Sequence, residues 1–139
     1  MSRTLLLLLL LVPLAAGQDD VRFRALDVYV DAGDHALGAY QLELPDGAGH
    51  SIVGVEGGEG VYAEPPYYDP AALKGGRIVL AAFSTSEELP KGTVRVARIH
   101  MLERGDERPD YRARSIVAAA PGGKRIAVTI ELRPFGEKR

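Results

Sequence analysis

Apolar residues in this chain recur at every second position and nowhere hold a helical period for long. Around Asp27-Val28-Tyr29-Val30-Asp31, the side chains of Leu26, Val28 and Val30 share a face, and Ile126, Val128, Ile130 and Leu132 alternate in the same way near the C-terminus. Successive side chains of a strand point to opposite faces, so period two buries one face of a sheet and leaves the other wet. Between these two segments the pattern predicts strands over Leu37 to Leu44, Ile52 to Val55, Ile78 to Phe83, Thr93 to Leu102 and Tyr111 to Ala119. Turns are marked by Ala32-Gly33-Asp34-His35, Pro45-Asp46-Gly47-Ala48-Gly49, Pro90-Lys91-Gly92 and Pro121-Gly122-Gly123-Lys124. Short strands joined by Gly/Pro turns predict an all-β, antiparallel β-sandwich.

Three details sharpen that expectation. In Thr93 to Leu102, Val94 and Val96 lie in one phase, whereas Ala97, Ile99 and Met101 lie in the other, so one extra residue near Val96 must be absorbed as a β-bulge. The continuous apolar run Ile78 to Phe83 is expected of a strand covered on both faces or at the centre of the core. The last strand should stop at Arg133, because Pro134 cannot donate to a ladder. Residues 103 to 110 read as a charged hairpin loop.

Glu56 to Phe83 is the one long irregular crossing, where the chain can step from one sheet to the other. Its Gly57-Gly58-Glu59-Gly60 run lacks the helix and lysine of a phosphate loop. Asp69-Pro70-Ala71-Ala72-Leu73 reads as a single capped helical turn, with Asp69 accepting from exposed amides and Pro70 at the first helical position.

The N-terminus begins Met1-Ser2-Arg3-Thr4, runs through leucine from Leu5 to Leu11, and ends in small residues at Ala15-Ala16-Gly17. Positive start, short apolar run and small residues are the parts of a secretory signal. The run is too short for the ~20 residues that span a bilayer. Residues 1–17 are therefore expected to be cleaved, leaving residues 18–139 as a single domain that is secreted or periplasmic, with no membrane span. The chain has no cysteine. That excludes a disulfide framework, a thiol nucleophile and cysteine-ligated zinc.

Charge is unevenly placed. From Gln18 to Pro90 thirteen carboxylates face four bases, whereas from Lys91 to Arg139 twelve bases face six carboxylates. Either the halves interleave and neutralise one another across strands, or an acidic and a basic face await a partner. If the strands flanking residues 103–110 pair, Arg98 and His100 approach Arg112 and Arg114, and like charges side by side need an acid from elsewhere in the chain or from a partner. An exported chain with an acidic pI is not expected to bind nucleic acid.

No residue set carries a catalytic signature. Ser84 and Ser86 lack a nucleophile elbow. Asp31, Asp34 and His35 match no metal-binding spacing, and neither a metal nor a cofactor is expected. Glu56, Glu59, Glu64 and Asp69 crowd the crossing as acidic loop residues. Tyr62, Tyr67 and Tyr68 are the better binding candidates, because tyrosine offers a flat apolar face with a hydroxyl at its tip. Their structural role would be to plug the crossing onto the sandwich. The candidate binding set is Tyr62, Glu64, Tyr67, Tyr68, Asp69, Arg98, Arg112 and Arg114.

Taken together, Asp27 to Asp31, Leu37 to Leu44, Ile52 to Val55, Asp69 to Leu73 and Gly76 to Phe83 followed by Thr93 to Met101 resemble a cohesin-like domain. Its superfamily includes the family 2 and 3 carbohydrate-binding modules; Glu64 to Leu73 is similar to uncharacterised exported bacterial proteins. The resemblance implies a jelly-roll sandwich that binds and does not catalyse, mediating protein–protein interaction at the cell envelope or outside the cell. Its alternative implication is polysaccharide binding through the tyrosine-rich loop 56–70. The chain departs from cellulose-binding relatives in having no tryptophan.

Overall fold

The computed structural model describes residues 20–44, 50–74, 77–106 and 109–136. The expected cleaved segment, residues 1–17, the expected break at 45–49 and the expected Gly75-Gly76 stop lie outside the described residues. Seven strands are described: β1 (Val21–Asp31), β2 (Ala39–Leu44), β3 (His50–Gly57), β4 (Ile78–Phe83), β5 (Thr93–Arg104), β6 (Arg114–Ala119) and β7 (Thr129–Phe135). Every pairing among them is antiparallel. A four-stranded sheet has the order β3-β5-β1-β7 and a three-stranded sheet the order β4-β2-β6.

Consecutive strands therefore alternate between the sheets. Each of the six connections carries the chain from one sheet to the other. The crossing after β3 is one of these steps, as expected. The segment after β5 is another, which corrects the hairpin reading of residues 103–110. There Tyr111 is held by its hydroxyl, which donates to Glu103 Oε1 at 2.7 Å, and by an edge-to-face contact with His50 at 4.9 Å. These contacts direct the chain across the end of the sandwich and away from β5.

The inner faces follow the alternation. Leu26, Val28 and Val30 from β1 and Ile99 and Met101 from β5 join Tyr40, Leu42 and Leu44 from β2 and Ile78 and Leu80 from β4 in one buried cluster. The bulge lies where the phase change predicts it. Val28 pairs with Ala97 and Tyr29 with Arg95, so Val96 is the unpaired extra residue, and Val96 and Ala97 are both fully buried.

Two other expectations change. β4 is an edge strand, bridged among the described residues by Tyr67 opposite Ala81, and only its inward residues are fully covered: Ile78 and Leu80 are buried, whereas Phe83 on the outward face is exposed. β7 continues through Pro134 to Phe135, because it too is an edge strand and proline's missing N–H costs nothing on an unpaired side.

Close backbone approach explains the glycines that open the long crossing. A Cβ on Gly57 would strike the Ala63 carbonyl, and one on Gly58 the Arg95 carbonyl. Gly58 N–H donates to Tyr62 O at 2.7 Å and Glu59 N–H to Arg95 O at 2.9 Å, which locks the crossing against β5. Further on, Asp69 Oδ1 accepts from Ala71 N–H at 2.9 Å and opens the 3-10 turn Pro70–Lys74.

Candidate functional site

The outer face of the three-stranded sheet can be read off its register. Phe83, Ala39 and Ala119 form one row; Ala81, Gln41 and Val117 the next; Val79, Glu43 and Arg114 the third. Residues two apart along β2 and β4 share this face, as do Ala119, Val117 and, past the bulge at Ile116, Arg114 of β6, so its middle is floored by small and medium side chains. Tyr67 joins the second row. Its N–H and C=O exchange hydrogen bonds with Ala81 at 2.8 and 2.9 Å, placing its side chain on the same face as Ala81.

A wall stands along one edge of this floor. Tyr67 is 80% exposed and Phe83 78%, the two highest values among the exposed large hydrophobics. Beside them runs a trough of about 390 Å³, lined by Ala39, Gln41, Ala81, Val117 and Ala119 together with the two aromatic residues. A second hollow of about 410 Å³ continues past Tyr67 and Tyr68 to Asp69 and Arg77. A third, of about 230 Å³ and lined by Glu64 and Pro65, lies beside the same two rings.

The trough ends in charge. Glu43 is almost wholly buried on this face, yet it accepts from Arg77 Nε on one oxygen and from Arg114 Nη2 on the other. Burial pushes its pKa up, but hydrogen bonds and charge from Arg77 and Arg114 outweigh it, so the carboxyl lies below the ordinary range. Both arginine side chains remain more than half exposed. Asp69 lines the same hollow as Arg77, so the two guanidiniums of this end stand against two carboxylates, of which Glu43 is gripped by both.

The expected binding residues separate into groups. Tyr67, Tyr68, Glu64 and Asp69 come together around the trough and its extensions, and Arg114 closes one end. Tyr62 backs the third hollow but is otherwise turned away from this surface. It is 3% exposed, its hydroxyl donates to Leu37 O at 2.7 Å, and its ring meets Tyr40 edge-on at 5.4 Å. Burial pushes its hydroxyl pKa up to about 12. This is the plugging role, filled wholly by Tyr62 and in part by Tyr68, which also packs against the core.

Arg98 is also elsewhere. It lies on the outer face of the other sheet, where Nε and Nη2 grip Asp27 at 2.6 and 3.1 Å and the guanidinium covers the Phe135 ring at 3.5 Å. His100, on the same strand, is 3.4 Å from Glu56. Arg112 pairs with Asp110 at 2.9 Å in the segment before β6. The expected crowding of Arg98 and His100 against Arg112 and Arg114 is corrected, because β5 and β6 lie in different sheets. Asp27 and Glu43 from the acidic half instead pair with Arg98 and Arg114 from the basic half, so part of the charge imbalance is neutralised within the molecule.

Phe83, Gln41, Arg77 and Glu43 were not expected at a site. The signal for Phe83 was parity: Ile78 and Leu80 face inward, so Arg77, Val79, Ala81 and Phe83 must face outward together. Nothing local marked Glu43 as buried. Among the described residues, no group of three or more His, Asp or Glu side chains converges as a metal site would require. Glu59 is tied to the Arg95 N–H at 2.9 Å, and Asp69 to its own turn. In comparisons with known proteins, no family model, no curated protein and no solved structure matches this chain.

Proposed function

We propose that this chain is an exported, non-catalytic docking module of cohesin-like, jelly-roll type, which binds a protein partner at the cell envelope or outside the cell through the outer face of its three-stranded sheet. The secretory character of residues 1–17 supports export, and seven antiparallel strands in two sheets suit a module of this type. The observation that carries the reading is the pair Tyr67 and Phe83, held exposed over a floor of Ala39, Gln41, Ala81 and Val117. Exposed aromatic residues around a shallow, mainly apolar hollow supply anchoring area with few polar groups to desolvate.

The partner has a defined chemistry. It presents an apolar side chain to the trough and a carboxylate to the Arg77/Arg114 end, where both guanidiniums remain more than half exposed. Affinity capture from a cell-envelope extract tests this by comparing the native chain with Phe83→Ser and Arg77→Glu. A protein retained by the native chain, released by salt and lost with both variants is the expected result. Equal retention by all three would remove the trough from the interaction.

A second reading has one observation in its favour: Tyr67 shares a sheet row with Gln41, an aromatic face beside an amide that can bind sugar hydroxyls. Retention on a polysaccharide panel, abolished by Tyr67→Ala and insensitive to salt, would select this reading over the first.

A further inference from the structure

The second exposed apolar patch lies on the opposite side of the molecule, and its residues are arranged with unusual order. Val21, Phe23, Val53 and Phe135, each between 46% and 75% exposed, are contributed by β1, β3 and β7 of the four-stranded sheet. Across its outer face, in the order β3-β5-β1-β7, one row reads Glu56-Arg98-Asp27-Arg133. Its signs alternate. The next row reads Gly54-His100-Ala25-Phe135, and beyond it Leu102 stands opposite Phe23.

We propose that this face is a self-association surface, on which two copies of the chain pack about a two-fold axis running parallel to the strands between β5 and β1. Such an axis reverses the row order in the second copy. Glu56 then faces Arg133 of the second copy, and Arg98 faces its Asp27; every charge in the row meets the opposite sign. A row of four alternating charges has this property only because it is even, and rotation about an axis across the strands would set like against like. The same operation sets Phe23 against Leu102 at the centre, beside the Phe135 ring that lies against Arg98 near the axis.

The inner charges are already satisfied, since Arg98 and Asp27 grip one another and are largely covered. The outer ones are available for a second partner. The Glu56 side chain is 59% exposed and that of Arg133 45%, although each has a neighbour of its own in His100 and Glu131. Electrostatics here sets register, while Phe23, Leu102 and Phe135 supply the apolar area.

Size fixes the strength. Four strands at about 4.8 Å spacing and some nine residues at about 3.3 Å give a footprint on the order of 500 Å² per copy. About 1,000 Å² for the pair is near the lower limit of a specific interface. A reversible dimer dissociating in the micromolar range is expected. Its two troughs would face outward on opposite sides, so the dimer would bridge two partner molecules and would not hold both troughs to one surface.

Sedimentation velocity of the purified protein across a concentration series tests the proposal without any partner. The native chain should dimerise in the micromolar range. Glu56→Lys and Arg133→Glu should each weaken the dimer by about tenfold or more, because the two-fold makes every reversal count twice. An equimolar mixture of the two variants should recover association close to native, as the introduced lysine faces the introduced glutamate while the native pair re-forms on the other side. That recovery also shows that both variants are folded. A native chain monomeric at several hundred micromolar, variants that dimerise like the native chain, or a mixture no tighter than its components would each overturn it.

Discussion

Glu43 is the residue whose environment departs furthest from its place in the sequence pattern. On a strand reading Tyr40-Gln41-Leu42-Glu43-Leu44 it occupies an outward position, as expected, yet it is buried by the two arginines that grip it. Because its folded pKa lies below the ordinary range, its contribution to stability is complete above the unfolded carboxylate's value, near 4.3, and is lost as pH falls through the lower folded value. Thermal melts of Glu43→Gln should therefore lie below the native chain at neutral pH and converge with it in acid. A constant gap from pH 7 to pH 3 would contradict the pairing. Tyr62 offers a second check at this scale. Its hydroxyl serves a buried carbonyl, so Tyr62→Phe should cost about 1–2 kcal/mol in denaturant unfolding, and Tyr62→Ala about 3–5 kcal/mol through the cavity it leaves. The sequence left open whether the crossing's tyrosines plug or bind, because three tyrosines within seven residues look alike; Tyr62 turns fully inward, Tyr68 packs partly against the core and Tyr67 stays exposed.

At the scale of the strand, the bulge at Val96 separates what local pattern encodes from what it does not. The change of phase between Val96 and Ala97 was visible in the sequence because both residues must reach the core. A deletion series makes this measurable. Removing Val96 should leave the alternation on both sides intact and the chain folded, at a cost of about 2–4 kcal/mol for a lost buried side chain. Removing Arg98 should turn Ile99 and Met101 outward and abolish folding, since a one-residue slip exchanges the two faces of a strand. Equal tolerance of both deletions, read by circular dichroism and denaturant midpoint, would contradict the register. Strand partners were less legible. The chain crosses between sheets after every strand, so no ladder joins sequence neighbours and no turn chemistry announces a pairing. That is why residues 103–110 resembled a hairpin, and why the outward side of β4 looked like buried core: periodicity gives parity, but not what lies beyond the face.

For the whole molecule, edges and faces have different roles. β7 carries Pro134, β3 is bulged at Val53, β6 at Ile116, and β4 is bridged by Tyr67. Bulges, proline and a covering segment all discourage strand addition, which leaves the two outer faces as the places where another molecule can dock. One carries Tyr67 and Phe83 with an arginine pair, and the other an alternating charge row with Phe23 and Phe135. All-nonlocal pairing also predicts slow folding, in milliseconds to seconds or longer, by stopped-flow refolding. A microsecond refolding phase carrying the full amplitude would contradict the crossed connections.

The docking face itself is tested most directly by site-specific photocrosslinking in the cell that makes the protein, with a photoreactive side chain in place of Phe83 and, as control, in place of Thr129 on the other sheet. A discrete adduct to another protein from position 83, absent from position 129 and lost when Arg77→Glu is added, is the result predicted. Adducts from position 129 alone, or from position 83 unaffected by Arg77→Glu, would contradict a docking trough closed by the arginine pair.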